Sequence, residues 1–233
     1  MAKIIGVIPV RMGSSRFPGK PLFPIAGMPM LEHVWHRSNF YSDWDELFLA
    51  TCDIEIKEFA DTKNIPCIMT SDKHKRALDR VAEAIEKSDF EISSDDIVLN
   101  VQGDEPMTTP SMITQSLQPF HKDSSINVVN LMIEMETNEE FEDENEVKVV
   151  VDKNSNAIYF SREPIPSKKK GVDTGPMLKQ VCVIPYRREY LLKFNEMSET
   201  ELEIIESIDM LRIIENGEKV KMVYSDTQSF SVD

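Results

Sequence analysis

The stretch Ile4-Ile-Gly-Val-Ile-Pro-Val-Arg11-Met-Gly-Ser14-Ser-Arg16-Phe-Pro-Gly-Lys20-Pro21 decides the fold. Its first half is an apolar, β-branched run bounded by proline, and it reads as a strand over residues 3–9. A strand with no polar face is buried on both sides, which predicts a parallel sheet covered by helices on each face. Its second half is a loop carrying Arg11, Arg16 and Lys20 with Gly13 and Gly19. In an open α/β sheet, ligands bind in the crevice at the carboxyl ends of the strands, which is where this loop begins.

Working outward, strand-like runs at 46–51, 66–70 and 96–101 alternate with helical apolar spacing at 30–40, 54–63 and 76–87. Alternation of this kind predicts parallel strands joined by crossover helices. The pattern changes after residue 125. Strand-like runs at 126–132, 147–151 and 157–160 follow without intervening helices, then helical patterns at 184–194 and 198–215 and a late strand at 220–224. The expected fold is therefore α/β, a doubly wound, mostly parallel sheet with a smaller mixed β lobe.

The first 31 residues contain four cations and no carboxylate, in a 233-residue chain of net charge −15. An anionic protein that gathers positive charge on one glycine-containing loop has built a receptor for something more anionic than itself, with polyphosphate the first candidate. The same net charge argues against nucleic acid or an anionic membrane bound across a broad surface. No run approaches the roughly 20 apolar residues of a membrane span, and the amino-terminal residues lack the pattern of a secretion signal. The expectation is a cytoplasmic protein with no nucleic-acid or membrane partner. Cys52, Cys67 and Cys182 are odd in number and widely spaced, which predicts reduced, buried thiols rather than disulfides or a zinc site.

In the first loop, Arg11 and Arg16 can fork onto phosphate oxygens and Lys20 offers a compact point charge. The loop is not a Walker A motif, because five residues separate Gly13 from Gly19 and Pro21 follows the lysine. A second constellation, Gln102-Gly-Asp104-Glu-Pro106, follows the strand at 96–101. A carboxylate there, beside a glycine that permits close approach, is placed to hold Mg²⁺ against nucleotide phosphates. Gln102 carries the donor and acceptor that reading a base edge or sugar hydroxyl requires.

Two charge runs carry no such reading. Residues 134–146 hold eight carboxylates and no base, and are expected to form a solvated loop rather than a calcium site. Lys168-Lys-Lys170 is expected at an exposed loop tip. His33 and His36, three apart on a predicted helix, have no third ligand in view and are assigned to packing or surface.

Taken together, these residues resemble the CMP-KDO synthetases (3-deoxy-manno-octulosonate cytidylyltransferases), a family of nucleotide-sugar cytidylyltransferases. The resemblance runs from residue 3 to the last residue. It is carried by the R-x-x-S-x-R-x-P-x-K-P loop from Arg11 to Pro21, by Gly27-Met-Pro-Met30, and by Asn100-Val-Gln-Gly-Asp-Glu-Pro106. Further matches are Asn145-Glu-Val-Lys-Val-Val150, Tyr159-Phe-Ser-Arg162, and Leu202-Glu-Ile-Ile-Glu206 running into Leu211-Arg212.

The resemblance implies a single Rossmann-like nucleotidyltransferase domain over 1–233, with an acceptor and dimerisation lobe roughly within 133–195, and a homodimer. It implies attack by the anomeric hydroxyl of a 2-keto-3-deoxy sugar acid on the α-phosphorus of CTP, with Mg²⁺ as cofactor. Arg11, Ser14, Arg16 and Lys20 would clamp the triphosphate, with Asp79, Arg80 and Gln102 also at the nucleotide. Lys20, Arg16 and Asp104 would be the catalytic group, Asp104 and Asp233 the metal ligands, and Arg162, Gln180, Tyr186 and Asp209 the acceptor side.

Two departures stand out. Where the family has H-x-S-G-T-[DE]-R, this chain has His74-Lys-Arg76-Ala-Leu78-Asp79-Arg80. Gln180 stands at the position of a sugar-facing histidine, and Asp209-Met210 replaces a Glu-Gln pair. Changes gathered on the acceptor side point to a sugar acid related to KDO and not necessarily identical with it. Two alternatives stay open on the sequence: transfer to another acid of sialic-acid type, and a nucleotide-binding module without catalysis.

Overall fold

The computed structural model describes residues 2–13, 17–74, 76–171 and 175–232. In chain order the elements begin with β1 (Ile4–Pro9), the short pair β2 (Pro24–Ile25) and β3 (Met28–Pro29), α1 (Met30–Asn39), β4 (Glu46–Thr51) and α2 (Ile54–Thr62). Next come β5 (Cys67–Met69), α3 (Ala77–Lys87), β6 (Ile97–Val101), α4 (Pro110–Lys122), β7 (Val129–Glu134) and α5 (Asn138–Glu142). The remainder is β8 (Lys148–Val151), β9 (Ala157–Ser161), β10 (Leu178–Val181), β11 (Val183–Arg187), α6 (Arg188–Glu196), α7 (Glu201–Glu206), α8 (Met210–Glu215) and β12 (Lys221–Tyr224).

The first sheet has the order β11-β6-β1-β4-β5, with β6, β1, β4 and β5 parallel and β11 antiparallel at one edge. β1 lies between β4 and β6, so the winding direction reverses at its carboxyl end. The loops after β1 and β6 therefore leave the sheet side by side, at the switch point where α/β sheets bind ligands. Gly6 is required by space in β1, since a Cβ there would stand 2.5 Å from Leu47 Cδ1 and 2.9 Å from the Trp44 ring.

The second sheet, ordered β12-β7-β10-β8-β9, is mixed and packs across the first. The chain passes from one sheet to the other through Cys182, between β10 and β11. Two buried clusters result. One joins Ile5, Val7 and Phe48 to Met132, Phe160 and Met222, and the other joins Ile8, Leu49 and Leu99 to Leu131, Ile133 and Val181. Each cluster thus takes side chains from both sheets.

The expected doubly wound sheet and mixed second sheet are present, with corrections. Residues 184–187, read as helix, are strand β11; Pro185 is tolerated there because an edge strand can spare one N–H. Residues 198–215 form two helices rather than one, broken at Ser207, whose φ of 55° takes the left-handed conformation. Helix α4, begun by a Thr109 cap on the Met112 N–H with Pro110 following, was not anticipated, nor was β10.

The acidic run is not simply a solvated loop. Part of it is α5, and Glu146 and Glu140 lie 3.1 and 3.5 Å from the buried Lys179 ammonium. Of the lysine triplet, Lys169 and Lys170 are exposed, while Lys168 lies over the Phe141 ring. His33 receives the packing role assigned to it, with Nε2 2.8 Å from the Ile25 carbonyl. The three cysteines are free but half-buried rather than fully enclosed, and burial pushes the Cys67 thiol up to about 11. Among the described residues no helix is long and apolar enough to cross a membrane.

Candidate active site

Two clefts open at the carboxyl ends of β1 and β6. The first is lined by Arg11, Gly13, Lys20, Arg76, Arg80 and Gly103 among others, and the second by Asn145, Glu146, Arg162, Gln180 and Asp209 among others. Gln102 and Asp104 line both, so the clefts meet at the loop after β6.

The loop after β1 is closed on itself by a Gly19 N–H donated to the Met12 carbonyl, with Gly19 at φ 80°, where a side chain would be strained. Asp53, at the end of β4, accepts from the Met12 N–H at 2.7 Å. These contacts deliver Lys20 into a 3-10 turn with only 8% of the residue exposed. A buried ammonium needs partners, and among the described residues Lys20 Nζ has two: Asp104 Oδ2 at 3.1 Å and the Val232 carbonyl. Asp104 in turn accepts at its backbone oxygen from the Val232 N–H at 3.0 Å. Loops far apart in sequence thus converge on one carboxylate.

Gly103 makes that convergence possible. A Cβ on it would lie 2.9 Å from the Pro9 carbonyl oxygen and 3.3 Å from Val10 Cβ, so only glycine lets the loops after β1 and β6 pack this closely. Its neighbour Glu105 is buried; it accepts from the Cys182 N–H at 3.1 Å and the Ser229 hydroxyl at 2.9 Å. Burial and the adjacent Asp104 charge push its carboxyl up to about 7. Through Ser229, and through Phe230 stacked under Lys179 at 5.2 Å, residues 225–232 strap across the second sheet, and Ser231 reaches the second cleft.

The other residues singled out in the sequence distribute unevenly. Arg11 is exposed and lines the first cleft, as does the buried Arg80, which is held by Thr70 Oγ1 at 3.1 Å and Cys52 Sγ at 3.2 Å. Asp79 does not line either cleft; its carboxylate caps α3 by accepting from the Arg76 N–H. Arg162, Gln180 and Asp209 line the second cleft. Arg162 donates to the Glu206 and Glu144 carbonyls, both at 2.8 Å, and Gln180 donates to Asn130. Tyr186, expected at the acceptor, is fully buried in the core on β11 and lines neither cleft. Ser14, Arg16 and Asp233 lie outside the described residues.

Sequence reading missed Arg76 as a site residue. It lines the first cleft, and its guanidinium donates to Asp209 at 2.8 Å and Glu199 at 3.0 Å, with Glu203 at 3.3 Å. Burial pushes the Asp209 carboxyl up to about 6, against the pull of Arg76. The pair ties the start of α3, which separates the clefts, to the α7–α8 turn. Leu78, two residues along, lines the second cleft.

A parallel sheet with a cation-lined and a carboxylate-bearing loop meeting at its switch point is a nucleotidyltransferase arrangement. The chain belongs to the cytidylyltransferase family, whose model matches residues 5–220. It is 38% identical over 231 residues to a 3-deoxy-manno-octulosonate cytidylyltransferase of Nitratidesulfovibrio vulgaris, covering 98% of this chain and 90% of that protein. A protein of the same description from Geobacter metallireducens is 37% identical over 241 residues, covering 99% and 93%. Among solved structures, a CMP:2-keto-3-deoxy-manno-octonic acid synthetase complexed with CTP matches with a TM-score of 0.89 and 33% identity, covering 100% of this chain and 93% of that one. The 4-diphosphocytidyl-2C-methyl-D-erythritol synthase of Anaerococcus prevotii shares the fold at a TM-score of 0.62 and 13% identity.

Proposed function

We propose that the protein transfers CMP from CTP to the anomeric hydroxyl of 3-deoxy-manno-octulosonate, releasing pyrophosphate. The observation that carries the reading is the Lys20–Asp104 contact at the place where the two clefts meet. The cation-lined cleft takes CTP and the second takes the sugar acid. The new bond joins the hydroxyl oxygen to the α-phosphorus while the bond from that phosphorus to the bridging oxygen breaks, and the hydroxyl proton leaves to solvent. Such a transfer asks for alignment and charge neutralisation rather than a protein nucleophile.

In this reading Arg11, Arg16 and Lys20 hold phosphate oxygens, Ser14 and Arg80 assist, and Gln102 faces base or sugar. Arg162 and Gln180 hold the acceptor. The donor set fits magnesium: Asp104 is a hard oxygen ligand with 30% of its side chain exposed. Asp104, with Asp233, would hold the ion through carboxylate oxygens. When bound it neutralises developing phosphate charge.

The proposed assembly is a homodimer in the cytoplasm, formed through the small lobe, where β9 is an open sheet edge bearing an Ile158 that is 56% exposed. Pyrophosphate release from CTP, ATP, GTP and UTP against a panel of keto-sugar acids tests the activity. CTP with 3-deoxy-manno-octulosonate should be the productive pair, and EDTA should stop it reversibly. Equal turnover with a sialic-type acid would replace the acceptor, and CTP binding without turnover would favour a non-catalytic module.

A further inference from the structure

The second cleft is lined by a polar side chain that the described residues leave unserved. Asn100 is the fourth residue of β6, paired through its backbone with Val7 on one side and Ile184 on the other, and is 1% exposed. It lines the cleft in apolar company, with Leu78, Ile184, Ile208 and Met210. Among the described residues, neither Oδ1 nor Nδ2 has a hydrogen-bond partner. Buried carboxamides are almost always paired, and an unpaired one costs folding free energy that a leucine of similar branched shape at this position would not. The other residues of β6 (Ile97, Val98, Leu99 and Val101) are all apolar. A strand otherwise chosen for burial has therefore kept one destabilising group, and functional sites are where such local conflicts are retained.

We propose that Asn100 is a specificity-determining residue of the acceptor cleft, its carboxamide held unpaired to bind hydroxyl groups of the incoming sugar acid. A carboxamide presents one donor and one acceptor side by side, which suits a pair of neighbouring hydroxyls. Because the amide is already out of water, the bond forms with no further desolvation on the protein side. Met210, unbranched and flexible, lines the same cleft and can yield by a rotamer change to admit the sugar. This inference rests on the acceptor being a polyhydroxylated acid, as proposed above.

The test uses Asn100→Leu and, should the larger side chain misfold, Asn100→Ala. Two readouts are taken: melting temperature with CTP and excess EDTA, with and without 3-deoxy-manno-octulosonate, and steady-state kinetics with magnesium. Asn100→Leu should melt about 2–4 °C above the parent without sugar, the shift expected for removing a modest unpaired-group penalty in a chain of this size. Its stabilisation by the sugar acid should vanish, and its acceptor KM should rise about tenfold or more while its CTP KM stays within about twofold. Unchanged sugar stabilisation and acceptor KM in both variants would overturn the role of Asn100 alone. A parent protein stabilised by no keto-sugar acid would overturn the acceptor assignment and this role together.

Discussion

Lys20 and Asp104 lie 84 positions apart in sequence and 3.1 Å apart in space, and the chemistry proposed here depends on that closeness. Lys20→Ala removes a positive charge from the phosphate cleft and leaves Asp104 without its partner. Loss of a key electrostatic group of this kind costs about 2–4 kcal/mol of transition-state stabilisation, so kcat/KM for CTP should fall about 30- to 1000-fold, with Asp104→Asn similar. Steady-state pyrophosphate release checks both. Glu83 on α3 gives a second residue-level prediction. Burial opposes its ionisation, but hydrogen bonds from Lys87, the Ser71 N–H and His74 outweigh that and hold its pKa at about 2, below the usual 4.5. A depressed carboxylate contributes stability above pH 4.5 and loses it as pH falls toward 2. Allowing for its partial contact with solvent, Glu83→Gln should be about 1–2 kcal/mol less stable at pH 7. Urea unfolding should show that gap closing as the pH is lowered through 4 toward 2.

At the scale of elements, the junction between the loops after β1 and β6 is set by Gly103. Gly103→Ala must push a methyl group against the Pro9 carbonyl and Val10 Cβ, both attached to a central strand that cannot yield cheaply. The expected result is a loss of about 1–3 kcal/mol in unfolding free energy, and turnover should fall by more than that stability loss alone explains, because Lys20 and Asp104 are driven apart. The link between α3 and the α7–α8 turn is testable by a double-mutant cycle. Arg76→Ala and Asp209→Ala should each raise KM, and the double variant should be no worse than the poorer single one. Much of this was legible in the sequence. The strands at 46–51 and 97–101 and helices α1 to α3 follow apolar periodicity, and the two loops stand out by charge and glycine. What sequence could not supply were contacts between distant segments. Arg76 and Asp209 each departed from the family pattern, and their mutual contact is a fact of packing alone. Tyr186 misled because it shares a face of β11 with the cleft-lining Ile184 but lies further along the strand, closed in by Met210 and Phe194. Ser207 broke a helix that its neighbours' periodicity would have continued.

The whole molecule unites two sheets whose buried clusters are shared between them. Neither sheet can lose its partner without exposing apolar surface on its own strands, which predicts one cooperative unfolding unit rather than two. Circular dichroism and tryptophan fluorescence should report coincident midpoints. Ile5→Val in β1 and Met222→Ala in β12 should each shift that common midpoint, by about 0.5–1.5 and 2–5 kcal/mol respectively, without splitting it. The strap of residues 225–232 has a further consequence through the hydrogen bond that joins Lys20 to Val232, 212 positions away. Closing so long a loop is entropically unfavourable until the intervening strands are in place, so this contact belongs to the final events of folding. A chain refolding from denaturant should regain its ellipticity first and its catalytic competence afterwards, the delay marking the time the tail takes to find its berth.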